Sequence, residues 1–336
     1  MYVFEKIRCR MSFPMNTISW NTLVRAGTGI AIGVAALWLA LRQTTLEQVK
    51  NVLSTTHPGW LAGALALYAV TMFVRTVRWR LLLKEVKPLS LKSVGIVLLV
   101  GYAANNLLPA RLGELFRADF AGKFYQVSRS AIAGSIVVER VLDGLIVVLC
   151  LLIGRLFVAH HPLLDILTAA SASLFIGIFI AIWLLGKGFS TRWYNRFPNA
   201  FTNRLQSFRY GVSSVHQGSF GRIINLSLIV WLLEGMTLWS VLKSINVSLG
   251  YQEMLLMIGV TSLSTLVPSA PGFVGTYQYA YAFTLGLFAY ESAQGVAAAT
   301  IVQVVLFGSV TLVGLLLYGY VISLKPKISR IKNASK

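Results

Sequence analysis

Long apolar stretches make up most of the chain, and short segments that carry most of its charge separate them. Six of the stretches approach the roughly 20 residues that a helix needs to cross the hydrocarbon core of a bilayer. These continuous stretches are 23–41, 60–83, 131–158, 163–186, 223–245 and 295–323. The pattern predicts an all-α, polytopic integral membrane protein with about six full spans.

Two further apolar stretches, 93–122 and 253–290, are interrupted near their centres. The interrupting residues are Pro109 and Gly113 in the first stretch, and Pro271, Gly272 and Gly275 in the second. Proline removes a backbone amide donor and glycine relaxes the backbone, so neither stretch should continue as one straight helix. We therefore predict two broken-helix hairpins.

Basic residues set the expected orientation, because Lys and Arg accumulate on the cytoplasmic side of a membrane. The connections at 75–92, 117–129 and 187–222 are rich in cations, whereas the loops at 42–58, 159–162 and 246–252 hold few. We expect a plasma membrane protein with both termini cytoplasmic. The two hairpins would then enter from opposite faces and point at each other.

Paired interrupted segments in two halves of a chain indicate an inverted repeat with a binding site near the midplane. The alternative is that each interrupted segment is an ordinary kinked pair of crossings. We predict two opposed re-entrant hairpins and an inverted repeat.

The chain divides into a cytoplasmic N-terminal tail (1–22), a transmembrane domain (23–323) and a basic cytoplasmic tail (324–336). Within the domain, the 187–222 connection has aromatic and apolar residues at helical spacing, flanked by arginines. These residues are Trp193, Phe197, Phe201, Leu205 and Phe208. The connection is predicted to be an amphipathic helix at the membrane interface.

The composition agrees with the patterning and narrows the function. Of the 336 residues 56% are hydrophobic and 12% charged, which leaves no room for a soluble catalytic domain. The net charge of +19 would suggest nucleic acid in a soluble protein. Here the cations flank apolar stretches, so we expect anionic lipid headgroups as partners and no nucleic acid. The two cysteines and four histidines lack metal-ligand spacing, so we expect no metal and no cofactor.

Charged residues inside the spans are the main candidates for function. Glu139, Arg140 and Asp143 interrupt an apolar run, and a carboxylate at midspan costs about 2.5 to 3.5 kcal/mol on insertion scales. The two acids share a helical face, whereas Arg140 is rotated by about 100° from Glu139. Cations from other segments should therefore balance the acids, and Arg78, Arg111 and Arg117 are the expected partners. The network either binds a ligand or only orients the bundle.

Glu234 lies between Trp231 and Trp239 with no cation near it in the sequence. It is either a proton-coupling site or a satisfied packing contact.

Four linked motifs carry a resemblance to a known family. In chain order they are Arg78-Trp79, then Asn105-Asn106-Leu107-Leu108-Pro109-x-Arg111-x-Gly113-Glu114 with Arg117, then Val138-Glu139-Arg140-x-x-Asp143, and finally Pro271-Gly272-x-x-Gly275. Together they resemble the lysylphosphatidylglycerol synthase transmembrane, or flippase-like, family, over roughly 20–323. The resemblance implies a stand-alone lipid-handling membrane domain without the synthase. The chain departs from the family pattern where Phe273 follows Gly272 and Gln278 takes the place of an acid.

We expect the protein to move a phosphate-bearing phospholipid or glycolipid between leaflets. The rival expectation is a non-transporting partner subunit of a glycosyltransferase or lipid-modifying synthase, and no catalytic motif indicates an enzyme. Half-helix ends at the two hairpins should favour phosphate. The expected headgroup-binding residues are Arg111, Arg117, Arg78 and Arg140, balanced by Glu114, Glu139 and Asp143, with Asn105 and Asn106 beside them. The sequence leaves the oligomeric state unknown.

Overall fold

The computed structural model describes residues 20–42, 44–108, 112–187, 199–216, 218–267 and 269–334, and the regular elements within them are helices. In chain order these are α1 (Trp20–Leu41), α2 (Leu46–Ser54), α3 (Pro58–Leu82), α4 (Leu91–Leu107), α5 (Leu112–Tyr125), α6 (Arg129–Arg155), α7 (Pro162–Lys187), α8 (Asn199–Val212), α9 (Phe220–Ser244), α10 (Tyr251–Ser264), α11 (Thr276–Gly286), α12 (Ser292–Ile301) and α13 (Gly308–Ala334). Short 3-10 turns occupy Ser213–His216 and Pro271–Phe273, and a π-helical segment, Val302–Phe307, joins α12 to α13.

The long helices confirm the predicted polytopic architecture. Among the described residues four helices are long and apolar enough to cross a membrane: α3, α7, α9 and the continuous stretch Ser292–Ser323. Two more, α1 with 22 residues and α6 with 27, have the necessary length. α6 carries the charged group Glu139, Arg140 and Asp143 within its length.

Both interrupted stretches form helical hairpins. Their arms have 17 and 14 residues in the first hairpin (α4 and α5) and 14 and 11 in the second (α10 and α11). At 1.5 Å per residue such arms are about 17 to 26 Å long, shorter than the roughly 30 Å hydrocarbon core. The tips meet, because a Cβ on Gly272 would lie 3.7 Å from the carbonyl oxygen of Asn106. Pro109 and Arg111 lie outside the described residues.

The helices that precede the two hairpins pack along each other in opposite directions. Near one end of the α3–α9 pair, the Ser240 hydroxyl donates to the Trp60 carbonyl at 2.7 Å. Near the other end, Arg78 donates to the Ser227 hydroxyl at 3.1 Å. Corresponding helices of the two halves therefore run antiparallel, as an inverted repeat requires.

The helices that follow the hairpins exchange partners between the halves. α6 packs against α10, the first arm of the second hairpin, and α13 packs against α4, the first arm of the first hairpin. A glycine allows each close approach: a Cβ on Gly154 would lie 2.6 Å from the Leu256 nitrogen, and one on Gly314 would lie 2.5 Å from the Leu99 carbonyl oxygen. Small residues at helix contacts are the usual means of close packing in membranes.

The turn of the second hairpin is held against α1. Gly275 has a φ of 91°, and any Cβ there would collide with the backbone of Gly33. Left-handed backbone and close contact together require glycine at this position.

Two connections contain helices. The 42–58 loop includes α2, whose first turn is closed by a capping box between Thr45 and Gln48. In the 187–222 connection α8 packs against α6, since a Cβ on Gly134 would lie 2.4 Å from the backbone of α8, too close for any side chain. Trp193 and Phe197, which we predicted on the interfacial face, lie outside the described residues.

Candidate functional site

A cavity of about 190 Å³ lies where the two hairpin tips meet. Hairpin 1 contributes Asn105 and Glu114 to its wall, and hairpin 2 contributes Ser262, Thr265 and Tyr277. The remaining walls come from α3, α6, α7, α9 and the π-helical segment. The cavity is therefore built where the broken helices leave room between the long ones.

An ion network lies in and beneath the wall of this cavity. It consists of four arginines, Arg75, Arg78, Arg117 and Arg140, and four acids, Glu114, Glu139, Asp143 and Glu234. The formal charge of these eight side chains is zero. A negatively charged ligand would therefore have to compete with a carboxylate for an arginine.

The deep part of the network centres on Glu139, whose side chain is completely buried. Its oxygens lie 3.4 Å from Arg78, 3.0 Å from Arg117 and 2.6 Å from Arg140. Arg78 also holds both oxygens of Asp143, at 2.6 and 3.2 Å. A single buried acid thus ties together cations from α3, α5 and α6.

Aromatic side chains support the deep part. The Arg117 guanidinium lies 3.5 Å from the centroid of the Trp79 ring, a cation–π contact. Its aliphatic stem crosses Gly101, where a Cβ would come within 3.0 Å of it. The Trp231 indole donates to Asp143 at 3.1 Å. These contacts fix the rotamers of the buried ions.

The outer part of the network faces the cavity. Arg75 lies 3.1 Å from Glu234 and 3.8 Å from Asp143, and Arg140 lies 3.5 Å from Asp143 and 3.7 Å from Glu114. The side chains of Arg140, Glu114 and Glu234 are 30%, 27% and 32% exposed. In contrast, Arg78 and Arg117 are 0% and 4% exposed and do not line the cavity. The structure therefore separates supporting ions from accessible ones.

Most of the residues predicted from the sequence are brought together. Arg78, Arg117 and Arg140 do pair with the acids of α6. Asn105 lines the cavity, and Asn106 donates to the Phe307 carbonyl at 3.2 Å. Gly113 packs directly against Asn105. Arg111 and Pro109 lie outside the described residues, so their place stays a prediction.

Two expectations about the charged residues were wrong. Glu234 does have a cation beside it, because α3 brings Arg75 to 3.1 Å across 159 residues of sequence. Arg75 and Arg78, which we assigned to a cation-rich connection, are buried in α3. The expected balance of Arg140 by Glu139 is present at 2.6 Å although the two residues are adjacent, since a long guanidinium side chain can bend back to its neighbour. The proton-coupling role of Glu234 stays a prediction.

The second hairpin is held by amides in place of charges. Gln278 accepts from the Gly275 amide at 2.8 Å and donates to Gln303 at 2.6 Å. Gln303, in the π-helical segment, donates in turn to the Gly272 carbonyl at 2.8 Å. Glu114 is the third residue of α5, the second arm of hairpin 1, and Gln278 is the third residue of α11, the second arm of hairpin 2. At this equivalent position of the inverted repeat, one hairpin has an acid and the other an amide. The Gly275 amide, at the start of α11 where phosphate binding was predicted, therefore already donates a hydrogen bond to Gln278.

Sequence reasoning missed Tyr102, a cavity residue of α4 that contacts two of the arginines. Tyr102 lies in an apolar helix, where an aromatic residue is ordinarily expected to pack against its neighbours, so the sequence did not indicate a functional role. Among the described residues no group of three His, Cys, Asp or Glu side chains could hold a metal ion.

Comparison with known proteins places this architecture in a family. The chain is 24% identical to Glycosyltransferase AglD of Haloferax volcanii over 85% of its own length, and it spans 52% of that relative. It is 25% identical to a UPF0104 membrane protein of Methanocaldococcus jannaschii, covering 64% of this chain and 92% of the relative. A UPF0104 membrane protein of Methanothermobacter thermautotrophicus is 22% identical over 73% of this chain and 80% of its own. The family model described as the lysylphosphatidylglycerol synthase TM region matches residues 28–314, and the chain belongs to that family.

Proposed function

We propose that this protein moves a phosphate-bearing phospholipid or glycolipid between the leaflets of the membrane, and that the headgroup passes through the cavity between the hairpin tips. The observation that carries the proposal is a cavity whose wall holds partly exposed ions of both signs at the meeting point of two broken helices. Irregular backbone at membrane depth is tolerated only where protein covers it or where it lines a cavity.

The arginines that line the cavity are the proposed phosphate ligands. Arg140 and Arg75 line the cavity, and a guanidinium matches two oxygens of a phosphate group at once. Arg111 belongs to the tip of hairpin 1 by sequence and is proposed as a third ligand. Arg78 and Arg117 lie behind the wall, so their proposed role is to hold Glu139 and Asp143, which in turn orient Arg140.

The accessible acids balance the arginines when the cavity is empty. A headgroup phosphate would displace a carboxylate from Arg75 or Arg140, and Glu234 and Glu114 are the most exposed of these acids. Once displaced, either acid can pair with a positive group of the same headgroup. Each arginine would therefore exchange a carboxylate of the protein for a phosphate of the headgroup, so no arginine is left unpaired when the cavity is empty.

A second candidate is a partner subunit without transport activity. The relative from Haloferax volcanii is named a glycosyltransferase, and this chain matches about half of its length. On this view the domain would hold a separate glycosyltransferase or lipid synthase at the membrane. In either role the proposed location is the plasma membrane with both termini cytoplasmic, and the chain itself is proposed not to be an enzyme.

Reconstitution of the purified chain into liposomes tests the proposal. Fluorescent phosphatidylglycerol, phosphatidylethanolamine and a polyprenyl-phosphate sugar are placed in both leaflets, with a diacylglycerol glycolipid that lacks phosphate as the comparison. We expect protein-dependent access of a membrane-impermeant quencher to the inner-leaflet pool of at least one phosphate-bearing lipid. If no lipid moves and the chain co-purifies with a glycosyltransferase or lipid synthase, the partner-subunit reading replaces transport.

A further inference from the structure

Tyr102, on the first arm of hairpin 1, has an unusual hydrogen-bond environment. Its phenolic oxygen accepts from Arg75 Nη1 at 3.1 Å and from Arg140 Nη2 at 3.4 Å. The guanidinium carbon of Arg75 also lies 5.8 Å from the centroid of the tyrosine ring. The hydroxyl is thus held between the two arginines that line the cavity.

A phenolic hydroxyl can both donate and accept a hydrogen bond. The Tyr102 oxygen already accepts from two arginines, so only its proton remains to be placed. Within the described parts of the chain no carbonyl, carboxylate or hydroxyl oxygen accepts that proton, while the side chain lines the cavity. The O–H bond is therefore free to point into the cavity.

The Nε–H groups of Arg75 and Arg140 are buried and make no hydrogen bond among the described residues, and the same holds for Arg78 and Arg117 behind the wall. The Nε of Arg140 faces a carboxylate oxygen of Glu114 at 3.7 Å, whereas that of Arg75 has no such ion pair in the described part of the chain. Buried donors are normally paired, and an unpaired one calls for an explanation such as an absent ligand. The Tyr102 hydroxyl and the Arg75 Nε–H are therefore two unused donors on side chains that line one cavity.

The chemistry of these donors selects an anionic oxygen. Two cationic donors on one oxygen withdraw electron density from it and strengthen its own O–H as a donor. They also fix the hydroxyl, so little ordering is needed when a ligand binds. We infer that the Tyr102 hydroxyl donates its proton in a hydrogen bond to a phosphoryl oxygen of the lipid headgroup. The inference rests on the proposed function and names a specificity-determining contact for it.

Paired lipids and a matched variant test this contact. Dioleoylphosphatidylglycerol and dioleoylglycerol have the same acyl chains but only the first carries a phosphate, and their binding to the detergent-solubilised protein is measured by native mass spectrometry. We expect Tyr102→Phe to weaken binding of the phosphatidylglycerol about tenfold to a hundredfold, as for a hydrogen bond to a charged acceptor. Binding of the dioleoylglycerol should not change.

Tyr318→Phe is the control, because it removes the same hydroxyl from a ring that packs against Phe116 and Phe120 away from the cavity. It should leave binding of both lipids unchanged. If Tyr102→Phe weakens both lipids equally, the hydroxyl supports the cavity as a whole and does not contact the phosphate, and the inference is wrong. If the wild type prefers the phosphatidylglycerol and Tyr102→Phe keeps that preference, the inference fails while the proposed function stands.

If the wild type binds both lipids equally, the protein does not recognise the phosphate, and the proposed function fails together with the inference. Should Tyr102→Phe fail to give a monodisperse protein, 3-fluorotyrosine at position 102 reports on the intact site. Its fluorine NMR signal should shift on addition of the phosphatidylglycerol and stay constant with the dioleoylglycerol. An equal shift, or none, with both lipids would contradict the contact.

Discussion

Glu139 and Glu114 offer a direct comparison between the deep and the accessible parts of the ion network. The substitutions Glu139→Gln and Glu114→Gln make the same chemical change, from a charged to a neutral side chain of the same shape. Glu139 is completely buried and contacts three arginines at 2.6 to 3.4 Å. Glu114 is 27% exposed, and among the described residues its one ion pair is with Arg140, at 3.7 Å.

The expected costs differ because the environments differ. Removing one partner from a buried ion cluster leaves an uncompensated charge, which costs about 3 to 5 kcal/mol. Three guanidinium groups depend on Glu139, so its substitution should lie in this range. A half-exposed pair at longer distance is worth about 1 kcal/mol or less, so Glu114→Gln should leave folding nearly unchanged.

Thermal unfolding of the detergent-solubilised variants, followed by tryptophan fluorescence and gel filtration, measures the difference. We expect Glu139→Gln to lower both the yield of monodisperse protein and its unfolding temperature, and Glu114→Gln to match the wild type in both. Lipid movement per folded molecule should fall in Glu114→Gln, because Arg140 then lacks the exposed carboxylate that exchanges with the headgroup phosphate. If the two variants unfold at the same temperature, the division into supporting and accessible ions is incorrect.

Three further outcomes follow from the structure. Glu234→Gln should raise the affinity for phosphatidylglycerol severalfold in the native mass spectrometry measurement, because the competing carboxylate on Arg75 is removed; unchanged affinity would show that Glu234 does not compete. Gly314→Ala should destabilise the protein by about 1 to 3 kcal/mol, because the new Cβ would meet the backbone of α4. Gly177→Ala is the control, since Gly177 has open space around it and its substitution should leave stability unchanged. Equal unfolding temperatures of the two variants would contradict the close packing. In a background without native cysteines, single cysteines at Thr44 and Ser190 should react with an impermeant reagent from opposite sides of the membrane, and labelling from one side would refute the assigned orientation.

Hydropathy and helix-breaking residues were sufficient to predict the spans and the hairpins. Each long helix follows an apolar stretch, and the two breaks follow proline and glycine, so local sequence determines them. The pairing of Arg75 with Glu234 could not be predicted from local sequence. It depends on the packing of α3 against α9, which places residues from distant parts of the chain side by side.

Other features depend on geometry that the sequence does not display. The π-helical segment lies in an ordinary apolar run, and only its contacts with Asn106 and Gly272 reveal that it joins the two hairpin tips. The division of the arginines into buried and accessible groups likewise depends on the position of the cavity. The sequence identified the charged residues but not which of them a ligand can reach.

The most direct test of the account is the liposome assay with two variants of helix α6. Arg140→Gln removes an accessible arginine of the cavity. Arg155→Gln removes an arginine of the same helix that pairs with Asp165 at 2.6 Å, away from the cavity. The account predicts that Arg140→Gln loses movement of the phosphate-bearing lipid per folded molecule and that Arg155→Gln retains it. Equal movement by both variants and the wild type would contradict passage of the headgroup through this cavity.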